Sequence, residues 1–230
     1  MLFLENAYLK EFESNIINIE NNKIILNQTI FYAKSGGQPG DTGTLNNNEN
    51  NINIIDTTYD VEKNIIHITE EDISFEINEK IKGKINWKAR YKHMRMHSSL
   101  HLLCSIIPFD VTGGQIGYDK SRLDFNVQDS KIDKEEIEHK INEIVKQDHL
   151  ISYQWITNNE LDKQPDLVRT MSVKPPKTKN KIRLVKIGNI DLQPCGGTHV
   201  KSTIEIGEIK IGKIENKGKM NRRVNLSIND

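Results

Sequence analysis

The strongest constraint on the fold is a change of hydrophobic period near Trp87. Before it, ESNIINIE, NKIILN, NINIID, NIIHIT and KIKGKIN are short runs rich in β-branched residues, separated by Asn, Asp, Glu and Gly. That pattern belongs to strands. No helical period of useful length appears there, except at the extreme N-terminus. Strands recurring every 8–12 residues or so, about the spacing of small all-β folds, predict a barrel or sandwich over residues 1–86. From Trp87 to Ile107, WKARYKHMRMHSSLHLLCSII places apolar residues three and four apart and stops before Pro108. This predicts a helix whose Met96, Leu100, Leu103 and Ile107 face a core, with His97 and His101 along the margin of that stripe.

The rest of the chain mixes both periods. Residues 113–127 alternate as a hairpin does. Asp133 is placed to cap a helix running to about Gln147, with Glu135 and Glu136 near its positive end and Ile137, Ile141 and Ile144 as its apolar stripe. HLISYQWIT reads as a strand and NNELDKQ as a short helix. KIRLVKI and EIKIGKIEN are strands flanking CGGTH, and RRVNLSI closes the chain. Helices against antiparallel strands predict an α+β architecture with two domains, 1–86 and 87–230. With no low-complexity joint between them, the two are expected to pack rigidly and share a cleft.

Two short stretches carry the chemistry. HSSLH places His97 and His101 at i and i+4, on one face of a helix. CGGTH places Cys195 and His199 around two glycines, a loop able to turn both side chains toward one point. Three imidazoles and a thiol form a natural tetrahedral zinc set. The alternative, buried histidines and a small apolar cysteine, fits poorly with two glycines between Cys and His. Ser98 stands where a zinc protease of the HExxH type would carry its glutamate, which argues against that chemistry.

Composition narrows the setting. The 230 residues carry 32 Lys and Arg against 32 Asp and Glu, so no global bias toward nucleic acid exists. The basic residues nevertheless cluster: Lys80–Arg95 holds seven and Lys174–Lys186 six with no acid, and Lys210–Arg223 holds six with one Glu. Each run alone is expected to be a solvated face, whereas three flanking the ligand segments fit an RNA backbone. Two cysteines make no disulfide framework, and neither a signal peptide nor a membrane span is evident. A cytoplasmic protein is expected.

At HSSLHLL and DLQPCGGTHV the chain resembles the editing domain of alanyl-tRNA synthetase and its free-standing AlaX relatives. TIFYAKSGGQPGDTGTL at 29–45 looks like that family's glycine-rich motif, and STIEIG at 202–207 and KGKMNRRV at 217–224 fit as well. The resemblance implies a trans-editing deacylase that hydrolyses the ester of mischarged tRNA(Ala), carrying serine and also glycine, in the service of translation fidelity. It assigns one zinc per chain to His97, His101, Cys195 and His199. Four protein ligands close a tetrahedron, whereas Lewis-acid catalysis needs an open position. Either a ligand yields, the coordination expands, or the metal positions substrate while another group directs water.

Within that reading Gln38 is the candidate to hold the water or the ester, and Gly36 and Gly37 offer backbone N–H groups to a developing oxyanion. Lys177, Lys179, Lys181, Arg222 and Arg223 are candidates for tRNA contacts. Thr29, opening the glycine-rich segment, is the candidate reader of the serine hydroxyl; the plain alternative is an ordinary strand threonine. A non-catalytic structural-zinc tRNA-binding module would carry the same metal and basic runs. No ATP-binding catalytic region is evident, so aminoacylation is not expected, and no obligate protein partner is inferred.

Overall fold

The computed structural model describes residues 1–47, 49–127, 132–168 and 181–229. The chain divides into two compact units, Met1–His93 and Met94–Asp230.

The first unit opens with a single helical turn, α1 (Leu2–Glu5). Six strands follow: β1 (Glu11–Glu20), β2 (Lys23–Leu26), β3 (Gly43–Asn46), β4 (Asn51–Tyr59), β5 (Ile65–Thr69) and β6 (Lys80–Ile85). They close an antiparallel barrel in the order β1-β2-β5-β4-β3-β6, with β6 paired to both β1 and β3. The expected barrel-or-sandwich choice thus falls to a barrel, and β3 is a strand that the glycine-rich sequence around it conceals.

Strand β6 shows how the period of two becomes a wall. Its burial alternates without a break. Ile81, Gly83 and Ile85 point inward and Lys80, Lys82 and Lys84 outward, as the pleat requires. Gly83 is needed because the Phe12 ring fills the space of its side chain; a Cβ there would come within 2.1 Å of Phe12 Cε1. Ile16, Ile24, Phe31, Leu45, Ile54 and Ile81 lie at the centre of the barrel core.

Between β2 and β3, residues 29–42 form no strand but are tightly stitched. Arg90, from the helix that follows β6, is fully buried and donates from Nε to Asp41 Oδ1 and Oδ2 at 3.0 and 2.9 Å. Its Nη2 makes a further short contact with Asp41 Oδ2. The same guanidinium donates to the Ala7 and Ile30 carbonyls, and Asp41 accepts the Tyr32 amide at 2.7 Å. A buried ion pair is tolerable only with its remaining hydrogen-bond sites met, and three backbone groups help to meet them here.

Helix α2 (Trp87–Ile106) matches the expected helix, and the division between the units falls within it rather than at its start. Met96, Leu100, Leu103 and Ile107 are buried as expected, but His97 and His101 are buried too, not marginal.

In the second unit β7 (Val111–Gln115) and β8 (Ser121–Asn126) form the expected hairpin. The Asp133 side chain caps α3 (Lys134–Lys146) by accepting the Glu136 amide. The inward stripe of α3 is Ile137, Ile141 and Val145; Ile144 is only partly buried, since i+4 from Ile141 is the better match to the helical turn. Next come β9 (Ile151–Ile156), α4 (Asn158–Asp162), β10 (Ile182–Ile187), β11 (Asp191–Pro194), β12 (Ile209–Asn216) and β13 (Asn221–Ile228). They build two antiparallel sheets, β11-β10-β9 and β12-β13-β8-β7. The edge of β12 is covered by α3: Asn142 accepts the Ile209 amide and donates to its carbonyl, and Glu138 accepts the Ile211 amide. Side chains so placed blunt an edge that would otherwise template foreign strands.

Candidate functional site

In the second unit, α2 carries His97 and His101 one turn apart, and the loop after β11 carries Cys195 and His199. The structure brings these four together: one donor atom from each lies within 4.8 Å of all the others. Cys195 Sγ is 3.4 Å from His97 Nε2 and 3.4 Å from His199 Nε2. The three imidazoles crowd around it, with the His97 and His199 ring centroids 4.2 Å apart.

The outer nitrogens of two rings are already engaged. His101 Nδ1 lies 2.9 Å from Asp191 Oδ2, and Gln193 Nε2 donates to both oxygens of that carboxylate. A carboxylate only accepts, so Nδ1 of His101 carries a hydrogen and Nε2 is the nitrogen turned to the cluster, able to ligate once the ring gives up its second proton. His199 Nδ1 lies 3.1 Å from Ser98 Oγ, which leaves its Nε2 facing the sulfur. Such outer partners fix ring orientation and raise ligand basicity at metal sites.

The loop bearing Cys195 is clamped from β10. Arg183 is buried, stacks over the Tyr153 ring at 4.5 Å, and donates to the carbonyls of Cys195 and Gly197. Its own carbonyl accepts the Cys195 amide at 3.0 Å. The two loop glycines do not work as expected. Neither takes a positive φ, and a side chain at Gly196 would meet nothing within 4 Å. Arg183, rather than glycine flexibility, sets the loop. Bare, exposed Gly196 sits beside the one ligand that is only half-buried, Cys195, and keeps that side of the cluster approachable.

Electrostatics prepare the ligands. Burial alone would raise the Cys195 thiol pKa, but His97, His199 and His101 around it bring it well below the ordinary thiol value. Burial, reinforced by neighbouring His97, holds His199 well below the usual imidazole range. Burial works in the same direction on His101, yet the Asp191 and Cys195 partners more than reverse it and push it up to about 10. A sulfur that gives up its proton readily is the form that binds metal. Tetrahedral coordination by three nitrogens and one sulfur separates adjacent donor atoms by about 3.3–3.6 Å, and both sulfur–nitrogen distances fall in that interval. The residues present therefore fit a metal ion.

The glycine-rich candidates lie in the barrel unit. Gly36 and Gly37 take φ of 55° and 83°, and Ser35 and Gln38 exchange backbone hydrogen bonds across them at 3.2 and 2.9 Å. This is a two-residue turn with both central residues left-handed, a backbone that favours Gly-Gly. The turn is exposed, while the Gln38 side chain is buried at its base. Thr29 is buried as well, beside His67.

The basic candidates divide. Lys177 and Lys179 lie outside the described residues, and Lys181 is exposed just before β10. Arg222 and Arg223 sit on β13; Arg223 is held by Asp124 at 2.7 and 2.9 Å, so its charge is met within the fold. In the first basic run Lys80 and Lys84 pair with Glu13 and Glu11, Arg90 is buried on Asp41, and Arg95 donates to the Ile206 and Asn229 carbonyls. Sequence reading missed Asp191, Ser98, Arg183 and His67. Ser98 and Asp191 lie inside the quoted motifs, HSSLHLL and DLQPCGGTHV; Arg183 and His67 have no spacing signal.

Comparison with known proteins places these features. Residues 182–225 match the family model described as the threonyl and alanyl tRNA synthetase second additional domain. Residues 3–89, essentially the barrel unit, match the model for class II (A) tRNA synthetases. An alanyl-tRNA editing protein AlaX-M of Saccharolobus solfataricus is 37% identical, over 97% of this chain and 96% of that protein. One from Methanosarcina barkeri is 33% identical over 100% of this chain and 98% of its own length. An alanine–tRNA ligase of Pyrococcus abyssi is 34% identical over 93% of this chain, which spans 24% of the ligase. No helix among the described residues is long and apolar enough to cross a membrane.

Proposed function

The chain belongs to the AlaX family of alanyl-tRNA editing proteins, and on that footing we propose that it is a zinc-dependent deacylase that cleaves serine, and also glycine, from mischarged tRNA(Ala) in the cytoplasm. The observation that carries this reading is the His97–His101–Cys195–His199 cluster, its three histidines buried, in a chain similar from end to end to free-standing editing proteins.

His97, His101, Cys195 and His199 would hold the ion. Bound there, it would supply a fixed positive charge that positions the substrate, and Lewis acidity where a ligand yields or the coordination expands. Asp191 and Ser98 keep the His101 and His199 rings turned inward, and Arg183 keeps the Cys195 loop in place. Exposed Gly196 leaves room for substrate beside the half-buried sulfur. In the barrel unit, the Gly36–Gly37 turn offers amide N–H groups of fixed direction to the charge that develops on the ester oxygen. Gln38, buried at the foot of that turn, is the polar side chain assigned to hold the attacking water or the ester.

Selectivity poses the physical problem. Alanine is smaller than serine, so a size limit cannot exclude it; preferring serine to alanine calls for a contact to the hydroxyl. Sites built around a substrate hydroxyl reject the analogue lacking it by roughly 10⁴–10⁵. Thr29 is the residue proposed to meet that hydroxyl. The test is a deacylation panel of Ser-, Gly- and Ala-tRNA(Ala) with Ser-tRNA(Ser) as control, run on the wild type and on Thr29→Val. Serine release from tRNA(Ala) with Ala-tRNA(Ala) spared is expected, and Thr29→Val should lower the serine reaction at least tenfold more than the glycine one, about the effect of a lost buried hydrogen bond. Binding of tRNA(Ala) without release of any amino acid would instead mark a non-catalytic zinc module.

Lys177, Lys179 and Lys181 are proposed to contact the tRNA backbone. Replacing all three with Gln is expected to weaken tRNA binding and to flatten its log–log salt slope by roughly 0.7–0.9 per lost phosphate contact. An unchanged slope in a filter-binding titration assigns that run to a solvated face.

A further inference from the structure

The Thr29 hydroxyl is 2.9 Å from His67 Nε2 and accepts the Phe31 amide at 3.0 Å. The other ring nitrogen, His67 Nδ1, lies 3.1 Å from the Ile24 carbonyl oxygen. A carbonyl only accepts, so Nδ1 carries the ring hydrogen. His67 is fully buried, edge-on to Phe31 at 5.1 Å, and burial lowers its pKa to about 4. The ring is therefore neutral near pH 7, and Nε2 bears a lone pair and no hydrogen. The Thr29 O–H must donate to it. Each hydrogen in the chain is then fixed, from the Phe31 amide through Thr29 and His67 to Ile24. A hydroxyl has one donor and two acceptor sites; His67 takes the donor, Phe31 takes one acceptor, and a single lone pair remains.

We propose that His67 is a positioning residue for specificity, locking the Thr29 hydroxyl as a hydrogen-bond acceptor so that the site favours an amino acid whose side chain donates. The proposal rests on the reading of Thr29 given above. The serine side chain offers such a hydrogen; the side chains of alanine and glycine have none. Without His67 the Thr29 O–H would be free to rotate and present its own hydrogen, which erodes the preference. His67 touches no reacting atom.

The experiment measures kcat/KM of the full chain on Ser-tRNA(Ala) and Gly-tRNA(Ala) for wild type, Thr29→Val, His67→Phe, His67→Gln and Thr29→Val/His67→Phe. His67→Phe keeps a ring against Phe31 and removes both nitrogens. It is expected to lower the serine-to-glycine ratio about tenfold, the effect of one hydrogen bond. His67→Gln, whose amide oxygen can accept from Thr29, should restore most of the ratio. In the Thr29→Val background His67→Phe should not change the ratio further, since the group it orients is gone. A misfolded fraction lowers both reactions alike and leaves the ratio intact. A ratio that Thr29→Val lowers and His67→Phe leaves unchanged overturns the role of His67 alone. A ratio unmoved by Thr29→Val, or no serine release by the wild type, overturns the underlying reading as well. Nitrogen-15 NMR of the His67 ring in the wild type gives a second readout: an Nδ1-protonated ring whose Nε2 resonance moves in Thr29→Val is expected. An Nε2-protonated ring sinks the proposal even where His67→Phe does not fold.

Discussion

Cys195→Ala is expected to strip the protein of its zinc and of its deacylase activity together. The sulfur is the one soft donor in the cluster, and it lies 3.4 Å from nitrogens of both His97 and His199. Its loss leaves three imidazoles and no anion. Metal analysis of purified protein should find about one zinc per chain in the wild type and essentially none in His97→Ala/Cys195→Ala. A double variant that stays fully loaded would remove the cluster from the chemistry. Cys104→Ala should keep its metal, because Cys104 lies outside the cluster. Asp191→Asn changes only the partner of His101 and should weaken zinc affinity by about 10–100-fold, measured by competition with a chelating dye. Acid should release the ion, since every ligand must be deprotonated to bind. Neighbouring histidines depress the Cys195 thiol, so retention should persist well below the pKa of an ordinary thiol.

Arg90→Met should destabilise the barrel unit by about 3–5 kcal/mol, the usual effect of leaving one half of a buried ion pair. Asp41 is buried and has Arg90 as its cation, and the guanidinium also serves the Ala7 and Ile30 carbonyls. Urea unfolding of the full chain gives the measurement. Asp41→Asn should cost less, because an amide oxygen can still accept from the Tyr32 N–H. Arg90→Met/Asp41→Leu should recover only part of the loss: the charge problem is gone, but the carbonyls of Ala7 and Ile30 and the amide of Tyr32 remain without these partners. Full recovery in the double variant would mean the backbone contacts contribute little. Hydrogen exchange at Tyr32 and Asp41 should quicken first, since these amides hold the segment leading to the Gly36–Gly37 turn.

Much of this was legible in the residues, for reasons that differ by element. Period-two runs gave β1, β2, β4, β5 and β6, and Asp133 announced α3, because strand pleat and helix cap are local effects. Strands β3 and β11 were hidden: each is four residues long, and Gly43 or Pro194 stands at its end. The histidine pair was readable because a helix converts spacing into a shared face. Its outer partners were not. Asp191 meets His101 across 90 positions, and Arg90 meets Asp41 across 49. No local pattern announces such a pairing. Arg90 in particular sat in a basic run that reads as surface, and only the folded barrel shows that it is interior. Gly196 was expected to bend the backbone; its φ shows that it does not.

The closed barrel also dictates when the first unit can be completed during synthesis. The strands leave the ribosome in sequence, but β6 is the piece that pairs with both β1 and β3. Until Lys80–Ile85 has emerged, the growing sheet has two raw margins, one at each end, with unpaired N–H and C=O groups. The five earlier strands must wait as an open ribbon, and the last to be made seals them at once. Such a seam joins residues far apart in the chain, which slows closure and lengthens exposure. The outward lysines of β6 lie on that seam, keeping its solvent face charged on the strand that arrives last.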